Sequence, residues 1–272
     1  MLTTLPLKTS SWPTSRAIWA KLLADELRER WHRWPDAVTL LRQAGLEPDP
    51  WQIQVAQSSA TRILLNCCRQ SGKSTLTAAL ALATAFREPN ALVLVLSPSL
   101  RQSQESFRKV LDVYRACPTP LPTRAESALR LELANGSRIV SLPGVESTVR
   151  GYSRVRLLIV DEASRVDDSL YYSVRPMLSI AQGRCIALST PFGKRGWFHH
   201  EYSEGDGWER VQITAYDCPR ISKAFLREER RSLPPLWFQS EYMCAFVDTI
   251  DQVFRSEDVL AAVSDEVQPL GL

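Results

Sequence analysis

The stretch Arg69-Gln70-Ser71-Gly72-Lys73-Ser74-Thr75 decides the fold of this 272-residue chain. It follows a short apolar run at residues 63–65 and precedes an alanine- and leucine-rich helical pattern at residues 78–82. A strand, a tight loop with Gly-Lys-Ser/Thr and a helix, in that order, are typical of a phosphate-binding P-loop. The first glycine of the full pattern would fall at position 67, where this chain has Cys67. The loop therefore predicts a nucleoside triphosphate and Mg²⁺ as ligands, although Gly-Lys-Ser-Thr also occurs by chance.

Within the loop, each group has an expected role in binding phosphate. Lys73 would reach the β- and γ-phosphates, and Ser74 would ligate Mg²⁺. The backbone N–H groups of residues 71–75 would surround a phosphate at the start of the following helix, where the helix dipole favours an anion. The predicted nucleotide-binding residues of the loop are Gln70, Ser71, Gly72, Lys73, Ser74 and Thr75.

Composition narrows the class of protein without deciding its function. Hydrophobic residues make up 44% and charged residues 23% of the chain, which is ordinary for a globular protein. The net charge of +3 permits contact with nucleic acid but does not require it. The six cysteines include no C-x-x-C pair, which disfavours zinc. Since no signal peptide or membrane-spanning run is evident, we expect a cytoplasmic protein with no membrane partner.

Four continuous apolar runs of strand length indicate a buried parallel sheet covered by helices on both faces. They lie at residues 63–65, 91–96, 157–160 and 185–188. Two further strand patterns, at residues 129–133 and 138–142, flank Asn135-Gly136, which is a typical hairpin turn. We therefore predict an α/β fold with a mostly parallel central sheet flanked by helices and one antiparallel hairpin.

The chain divides into an N-terminal segment, residues 1–48, and a main domain, residues 49–265. Helical periodicity covers residues 16–34, and this helix would either pack on the core or contact a partner. Asp36 then caps a short helix that ends at Gly45. A helical N-terminal extension therefore precedes the nucleotide-binding domain.

Asp161 and Glu162 follow the apolar run at residues 157–160 directly. The carboxyl ends of parallel strands meet at one edge of the sheet, so both carboxylates would lie beside the P-loop. Asp161 would hold Mg²⁺ through its water shell, and Glu162 would orient and deprotonate an attacking water. The alternative is a helix cap formed by Asp161 or Ser164, which is credible if either motif stands alone.

Two weaker signals fit the same site. Ser189-Thr190-Pro191 ends another buried strand with two hydroxyls that would sense the γ-phosphate, unless they form only a turn before the proline. Gln52 lies upstream of the first strand and would pair with the edge of adenine through its amide donor and acceptor. Gln54 competes with Gln52 for that role.

With these motifs, the chain resembles the ATPase portion of phage terminase large subunits, the motors that package DNA into capsids. The resemblance runs from Pro50 to the C-terminus, and terminases commonly lack the first glycine of the loop. The matching motifs are Arg69-Gln70-Ser71-Gly72-Lys73-Ser74, Ser97-Pro98-Ser99, Arg150-Gly151, Val160-Asp161-Glu162-Ala163, Ser189-Thr190-Pro191-Phe192-Gly193-Lys194-Arg195-Gly196, Glu241-Tyr242, Phe246 and Val253-Phe254.

The resemblance implies a P-loop NTPase of the ASCE type and adds roles for particular residues. Arg69 resembles the family's P-loop arginine, which contacts phosphate or couples ATP binding to movement. Arg150 resembles the arginine proposed to reach a neighbouring subunit's ATP, where it would raise the rate about 10³- to 10⁵-fold. A surface arginine after the hairpin is the alternative for Arg150. Ser189-Thr190-Pro191 matches the family's coupling motif.

The resemblance also implies partners and a missing domain. Double-stranded DNA, the portal protein and the terminase small subunit are the expected partners, in a homo-oligomeric ring at the capsid portal in the host cytoplasm. We expect a monomer in isolation. Residues 266–272 resemble a linker or the start of the family's nuclease domain, so we expect ATP hydrolysis without DNA cleavage. A helicase-like translocase and a non-hydrolysing docking module are the rival functions.

Overall fold

One eight-stranded sheet organises the part of the chain that the computed structural model describes, namely residues 34–144, 149, 151–248, 258 and 261–262. The strand order across the sheet is β3-β4-β5-β2-β6-β7-β1-β8. The strands are β1 Arg62–Cys67, β2 Leu92–Ser97, β3 Thr123–Glu126, β4 Arg130–Leu133, β5 Arg138–Pro143, β6 Val155–Asp161, β7 Arg184–Ser189 and β8 Glu209–Ile213.

Helices cover both faces of this sheet. The α-helices are α1 Ala37–Gln43, α2 Pro50–Gln57, α3 Lys73–Arg87, α4 Leu100–Ala116, α5 Asp168–Val174, α6 Gly196–Ser203, α7 Lys223–Ser232 and α8 Pro235–Glu241. Short 3₁₀ turns lie at Ala163–Arg165, Arg175–Leu178 and Ala215–Asp217. Among the described residues, none of the helices combines the length and the apolar character that crossing a bilayer requires.

The strands from β5 through β8 in the sheet order run parallel, as their pairings show. The antiparallel part comprises β3 with β4 and β4 with β5. The pair of β4 with β5, joined through Asn135 and Gly136, confirms the predicted hairpin. Gly136 has φ +82°, which the turn needs and which glycine adopts without a steric cost. The sequence patterns did not reveal β3, which pairs with β4 at the edge of the sheet and is exposed along its length.

Neighbouring residues of each central strand enter two different cores, which is why the strands read as continuous apolar runs. In β2, Val93 and Val95 pack in the layer beneath α3 and α4, whereas Leu94 packs in the opposite layer with α5 and α6. Helix α1 begins after the N-cap Asp36, whose side chain accepts a hydrogen bond from the Thr39 amide. Its Leu40 and Leu41 are buried in the same layer as α3.

Several predicted features lie outside the described residues. These are Arg150, the helix predicted at residues 16–34 except for Trp34, the family motif at Val253-Phe254, and residues 266–272. Ser222 caps α7, because its side chain accepts a hydrogen bond from the Phe225 amide. At the edge of the sheet opposite β3, β8 pairs in parallel with β1.

Candidate functional site

The loop between β1 and α3 bends at Gln70 and Gly72, not at Cys67. Gln70 has φ +59° and Gly72 has φ +88°, and α3 begins at Lys73. Cys67 is fully buried as the last residue of β1 and has no positive φ, so its backbone does not require glycine. Burial raises the pKa of its thiol to about 12.

Within the described residues, the N–H groups of Gly72, Lys73 and Ser74 have no hydrogen-bond acceptor. Unpaired donors at a helix start are typical of an anion site.

A cleft of about 540 Å³ opens above this loop at the carboxyl edge of the sheet. Lys73 enters it from the start of α3, and Glu162 enters it from the end of β6, with Lys73 Nζ 3.5 Å from Glu162 Oε1. Glu162 has φ +51°, an uncommon conformation for a residue with a side chain and one often found at functional sites. The residues that line the cleft are Arg69, Gln70, Gly72, Lys73, Ser74, Gln102, Lys109, Glu162, Arg165 and Thr190.

Asp161 is held in place beside Glu162 by two hydrogen bonds. The Ser106 hydroxyl from α4 donates to Asp161 Oδ2 at 2.6 Å, and the Glu162 amide donates to Asp161 Oδ1 at 3.0 Å. Burial raises the pKa of the Asp161 carboxyl, and the hydrogen bond from Ser106 opposes that rise. The helix-cap alternative does not describe this carboxylate, because the following 3₁₀ turn receives no hydrogen bond from its side chain.

The segment Ser189-Thr190-Pro191, at the end of β7, connects the cleft to other elements. Ser164 Oγ lies 2.6 Å from Ser189 Oγ and donates to the Thr190 carbonyl at 2.8 Å, which joins the ends of β6 and β7. Thr190 lines the cleft, whereas the Pro191 carbonyl accepts a hydrogen bond from Ser240 in α8 at 3.2 Å. Hydrogen bonds therefore link this segment both to the turn after β6 and to α8.

Arg69 faces the cleft and also contacts α8. Its guanidinium forms an ion pair with Glu241, and its amide donates to the Glu241 carbonyl at 3.3 Å. Its side chain remains 64% exposed, so it can turn toward a bound phosphate. A second cavity of about 380 Å³ shares Arg69 and Arg165 with the cleft. The Arg165 guanidinium stacks 4.2 Å from the centroid of Phe192.

Gln52 is buried against the P-loop. Its Nε2 donates to the Gly72 carbonyl at 3.3 Å, and its Oε1 accepts from the Asp49 amide at 2.8 Å. Arg220, after β8, donates to the Ser71 carbonyl at 2.7 Å and forms a two-bond ion pair with Asp49. Gln54 is exposed on the same helix. The recognition of adenine by Gln52 stays a prediction, since the two hydrogen bonds of the Gln52 side chain are both to protein backbone.

The structure therefore brings Gln52, Arg69, Lys73, Asp161, Glu162 and Thr190 to one edge of the sheet. Sequence reasoning missed six residues at this edge. Asp49 precedes α2, and Gln102 comes from α4. Ser106 and Lys109 come from α4, Arg165 from the turn after β6, and Arg220 from the loop after β8. Only Asp49 carried a signal, since Asp-Pro-Trp-Gln at residues 49–52 fits a capping box.

Comparison with known proteins gives this arrangement a family. A family model described as "Terminase large subunit, T4likevirus-type, N-terminal" matches residues 64–260. The chain belongs to this terminase family. The terminase large subunit of Escherichia phage T5 is 28% identical over 243 residues, which cover 83% of this chain and 54% of that protein. The terminase large subunit of Thermus phage G20c is 25% identical over 253 residues, covering 79% and 52%.

Solved terminase structures share the fold of this terminase chain. The ATPase domain of the Thermus phage P74-26 large terminase aligns with TM-score 0.67 and 23% identity, covering 76% of this chain and 97% of that one. A large terminase from a thermophilic bacteriophage, in complex with ADP, aligns with TM-score 0.62 and 13% identity, covering 74% and 54%. The present terminase chain spans about half the length of the curated relatives it matches.

Proposed function

We propose that this chain is the ATP-hydrolysing part of a terminase large subunit. One observation carries the proposal: Lys73 from the P-loop helix and Glu162 from the end of β6 meet at 3.5 Å in a single cleft. Beside them lie unpaired amide donors from the loop and the buried Asp161 carboxylate. A cation, free N–H groups and paired acids in this arrangement fit phosphoryl transfer to water.

In the proposed reaction, a water oxygen bonds to the γ-phosphorus while the bond from that phosphorus to the bridging oxygen of ADP breaks. Glu162 orients the water and accepts its proton. Lys73 and Arg69 stabilise the charge on the transferring phosphate. The γ-phosphate would compete for Lys73 and so release Glu162 from its ion pair, which frees that carboxylate to act as a base. Thr190 lies in the cleft to sense the γ-phosphate and its loss.

The residues present also fit Mg²⁺. The hydroxyl of Ser74 and the carboxylate of Asp161 are hard oxygen ligands, the type that Mg²⁺ prefers while it keeps several waters. Asp161 is buried and its pKa is raised by that burial, so a nearby cation would stabilise its charged form. Ser74 would ligate the ion directly and Asp161 through its water shell. When bound, Mg²⁺ neutralises charge on the β- and γ-phosphates.

A single substitution tests the role of Glu162. Glu162→Gln should retain ATP binding and lose turnover, because the amide keeps the shape of the side chain but cannot accept the proton. Binding would be measured with a fluorescent ATP analogue and turnover by phosphate release. Glu204→Gln, which changes an exposed glutamate that lies 3.5 Å from His200 and does not line the cleft, is the matched control and should leave both unchanged. Unchanged steady-state hydrolysis in Glu162→Gln would overturn the assignment of the base.

At the level of the assembled motor, we propose that hydrolysis drives double-stranded DNA into a procapsid in the host cytoplasm. Membership of the terminase family supports this proposal. The portal protein and the terminase small subunit are the proposed partners, and copies of this chain would form a ring. Arg150 would act on a neighbouring subunit's ATP. Arg150→Ala should then abolish activity in assembled motors while sparing ATP affinity.

A module that binds nucleotide without hydrolysing it is the second candidate function. The meeting of Lys73 with Glu162, beside Asp161, favours hydrolysis, because a purely structural ligand site needs no base. A rate of hydrolysis per protein molecule that rises with protein concentration, or on addition of portal protein, would support the motor. Phosphate release that stays at the uncatalysed rate under both conditions, with ATP still bound, would favour the non-hydrolysing module.

A further inference from the structure

Two consecutive peptide groups of the P-loop are held from outside the loop. The Ser71 carbonyl accepts from Arg220 Nη2 at 2.7 Å, and the Gly72 carbonyl accepts from Gln52 Nε2 at 3.3 Å. The Gly72 carbonyl also accepts from the Leu76 amide at 3.1 Å, as the first bond of α3. The two side chains come from elements far apart in the sequence, α2 and the loop after β8, and they reach the same short stretch of backbone.

Asp49 anchors both of these side chains. Its carboxylate accepts two hydrogen bonds from Arg220, at 3.0 and 2.7 Å, and its amide donates to Gln52 Oε1 at 2.8 Å. Asp49 and Gln52 are both nearly inaccessible to solvent. A two-bond pair between guanidinium and carboxylate fixes the plane of the guanidinium. The donors that hold the P-loop therefore have fixed positions.

Peptide geometry translates these contacts into the direction of the loop's N–H groups. In a trans peptide the carbonyl and the following N–H point in opposite directions, and the described residues contain no cis peptide. Since the Ser71 carbonyl points at Arg220, the Gly72 N–H points away from it. Likewise the Lys73 N–H points away from Gln52. Neither N–H has an acceptor among the described residues, and the lining of the cleft includes both Gly72 and Lys73.

The space around Gly72 agrees with this arrangement. A Cβ added at Gly72 would lie 3.0 Å from Arg220 Nη2 and 3.0 Å from Gln52 Nε2. The two donors thus pack closely against Gly72, and neither of them is among the residues that line the cleft. Glycine is needed here for the close approach as well as for its φ of +88°.

We propose that Gln52 and Arg220 are positioning residues for the phosphates: together with Asp49 they turn the Gly72 and Lys73 amides toward the nucleotide. The proposal rests on the proposed binding of ATP in this cleft. In this proposal Gln52 supports binding of the polyphosphate and not of the base. It acts indirectly, through its hydrogen bond to the Gly72 carbonyl. Its contribution should be the same for any nucleotide and for a polyphosphate with no base.

Binding of ATP, GTP and inorganic tripolyphosphate, each measured by calorimetry, tests the proposal. Gln52→Ala and Arg220→Ala should weaken all three by a similar factor, about tenfold, as expected for loss of one or two oriented donors. Arg220→Lys should recover part of the loss, because an ammonium can still donate to the Ser71 carbonyl. Gln57→Ala and Arg227→Ala, which alter exposed side chains on α2 and α7, are the controls and should bind like the wild type.

The outcomes separate the competing roles of Gln52. Weaker binding of ATP alone, with tripolyphosphate unchanged, would assign Gln52 to adenine and overturn the proposal. Unchanged binding of all three ligands would also overturn it. A wild-type protein that binds none of the three would instead overturn the proposed nucleotide function. Urea unfolding of each variant confirms that it is folded at the assay temperature. If Arg220→Ala does not fold, Gln52→Ala still tests the proposal, because it leaves the ion pair of Arg220 with Asp49 in place.

Discussion

The hydrogen bond from Ser106 to Asp161 predicts a pH-dependent effect on stability. Both side chains are buried, and the oxygen–oxygen distance is 2.6 Å. Burial raises the pKa of Asp161 above its ordinary value, and the Ser106 hydroxyl opposes that rise by stabilising the carboxylate. Ser106→Ala removes the donor and leaves the carboxylate less well solvated. The pKa of Asp161 in the folded variant should therefore rise further.

The size of the effect follows from the charge on the acceptor. A hydrogen bond to a charged group contributes about 1.5–3 kcal/mol to stability, and one to a neutral group about 0.5–1.5 kcal/mol. Ser106→Ala should thus lower the free energy of unfolding by about 2 kcal/mol where Asp161 is ionised. Where Asp161 is protonated the loss should be about 1 kcal/mol. The difference between the two costs is the free energy by which the hydrogen bond from Ser106 holds down the pKa of Asp161.

The way in which the free energy of unfolding changes with pH follows from proton binding to Asp161. A folded-state pKa above the unfolded value means that the folded protein binds the proton more tightly. Ionising Asp161 therefore lowers the free energy of unfolding as the pH rises through the folded pKa. Because Ser106→Ala raises that pKa further, the gap between variant and wild type should widen with rising pH. It should narrow as the pH falls through the raised pKa.

Urea unfolding followed by tryptophan fluorescence, from about pH 8 to about pH 5, measures this gap. Ser103→Ala is the matched control on the same helix, since the buried Ser103 hydroxyl donates to the neutral Ser99 carbonyl at 3.1 Å. Its cost should be about 1 kcal/mol and independent of pH. Equal, pH-independent costs for the two variants would refute the reasoning, as would a cost for Ser106→Ala that shrinks as the pH rises.

Two further pairs of variants test the fold, each by urea unfolding. Gly183→Ala should cost about 3 kcal/mol, because its Cβ would lie 2.1 Å from the Val155 carbonyl oxygen. Gly45→Ala, with φ +74° and open space, should cost about 1 kcal/mol, and equal costs would contradict the packing argument. Trp197→Ala should cost about 3–5 kcal/mol because the ring is fully buried. Trp237→Ala, half exposed, should cost under about 0.5 kcal/mol, and a larger loss would show that its ring is buried in solution.

The features that the sequence predicted correctly are local. The continuous apolar runs specify strands buried on both faces, because neighbouring residues such as Val93 and Leu94 enter opposite core layers. The Asn135-Gly136 turn specifies the hairpin, since Gly136 adopts a positive φ there. The strand-end position of Asp161 and Glu162 follows from the same patterns. Each of these inferences needs only a short window of sequence and a rule about parallel sheets.

The features that it missed depend on contacts between distant segments. Arg220 reaches Ser71 across 149 positions, and Ser106 reaches Asp161 across 55. Nothing in the local sequence marks either residue as part of a site, because an arginine in a loop and a serine on a helix are common in any protein of this kind. The edge strand β3 was missed for a related reason: its residues are exposed and show no apolar alternation. Its strand conformation comes from pairing with β4.

The absence of the first P-loop glycine is explained by where this loop obtains its shape. Cys67 continues β1 with its side chain in the core, so the chain turns only at Gln70 and Gly72. A loop with fewer glycines has fewer unfolded conformations to lose, but its amide directions must be fixed by other contacts. Gln52, from α2, and Arg220, from the loop after β8, provide such contacts. It follows that substitutions at these two positions should harm phosphate binding more than the substitution of Cys67 by glycine, which removes a core side chain and should act chiefly on stability.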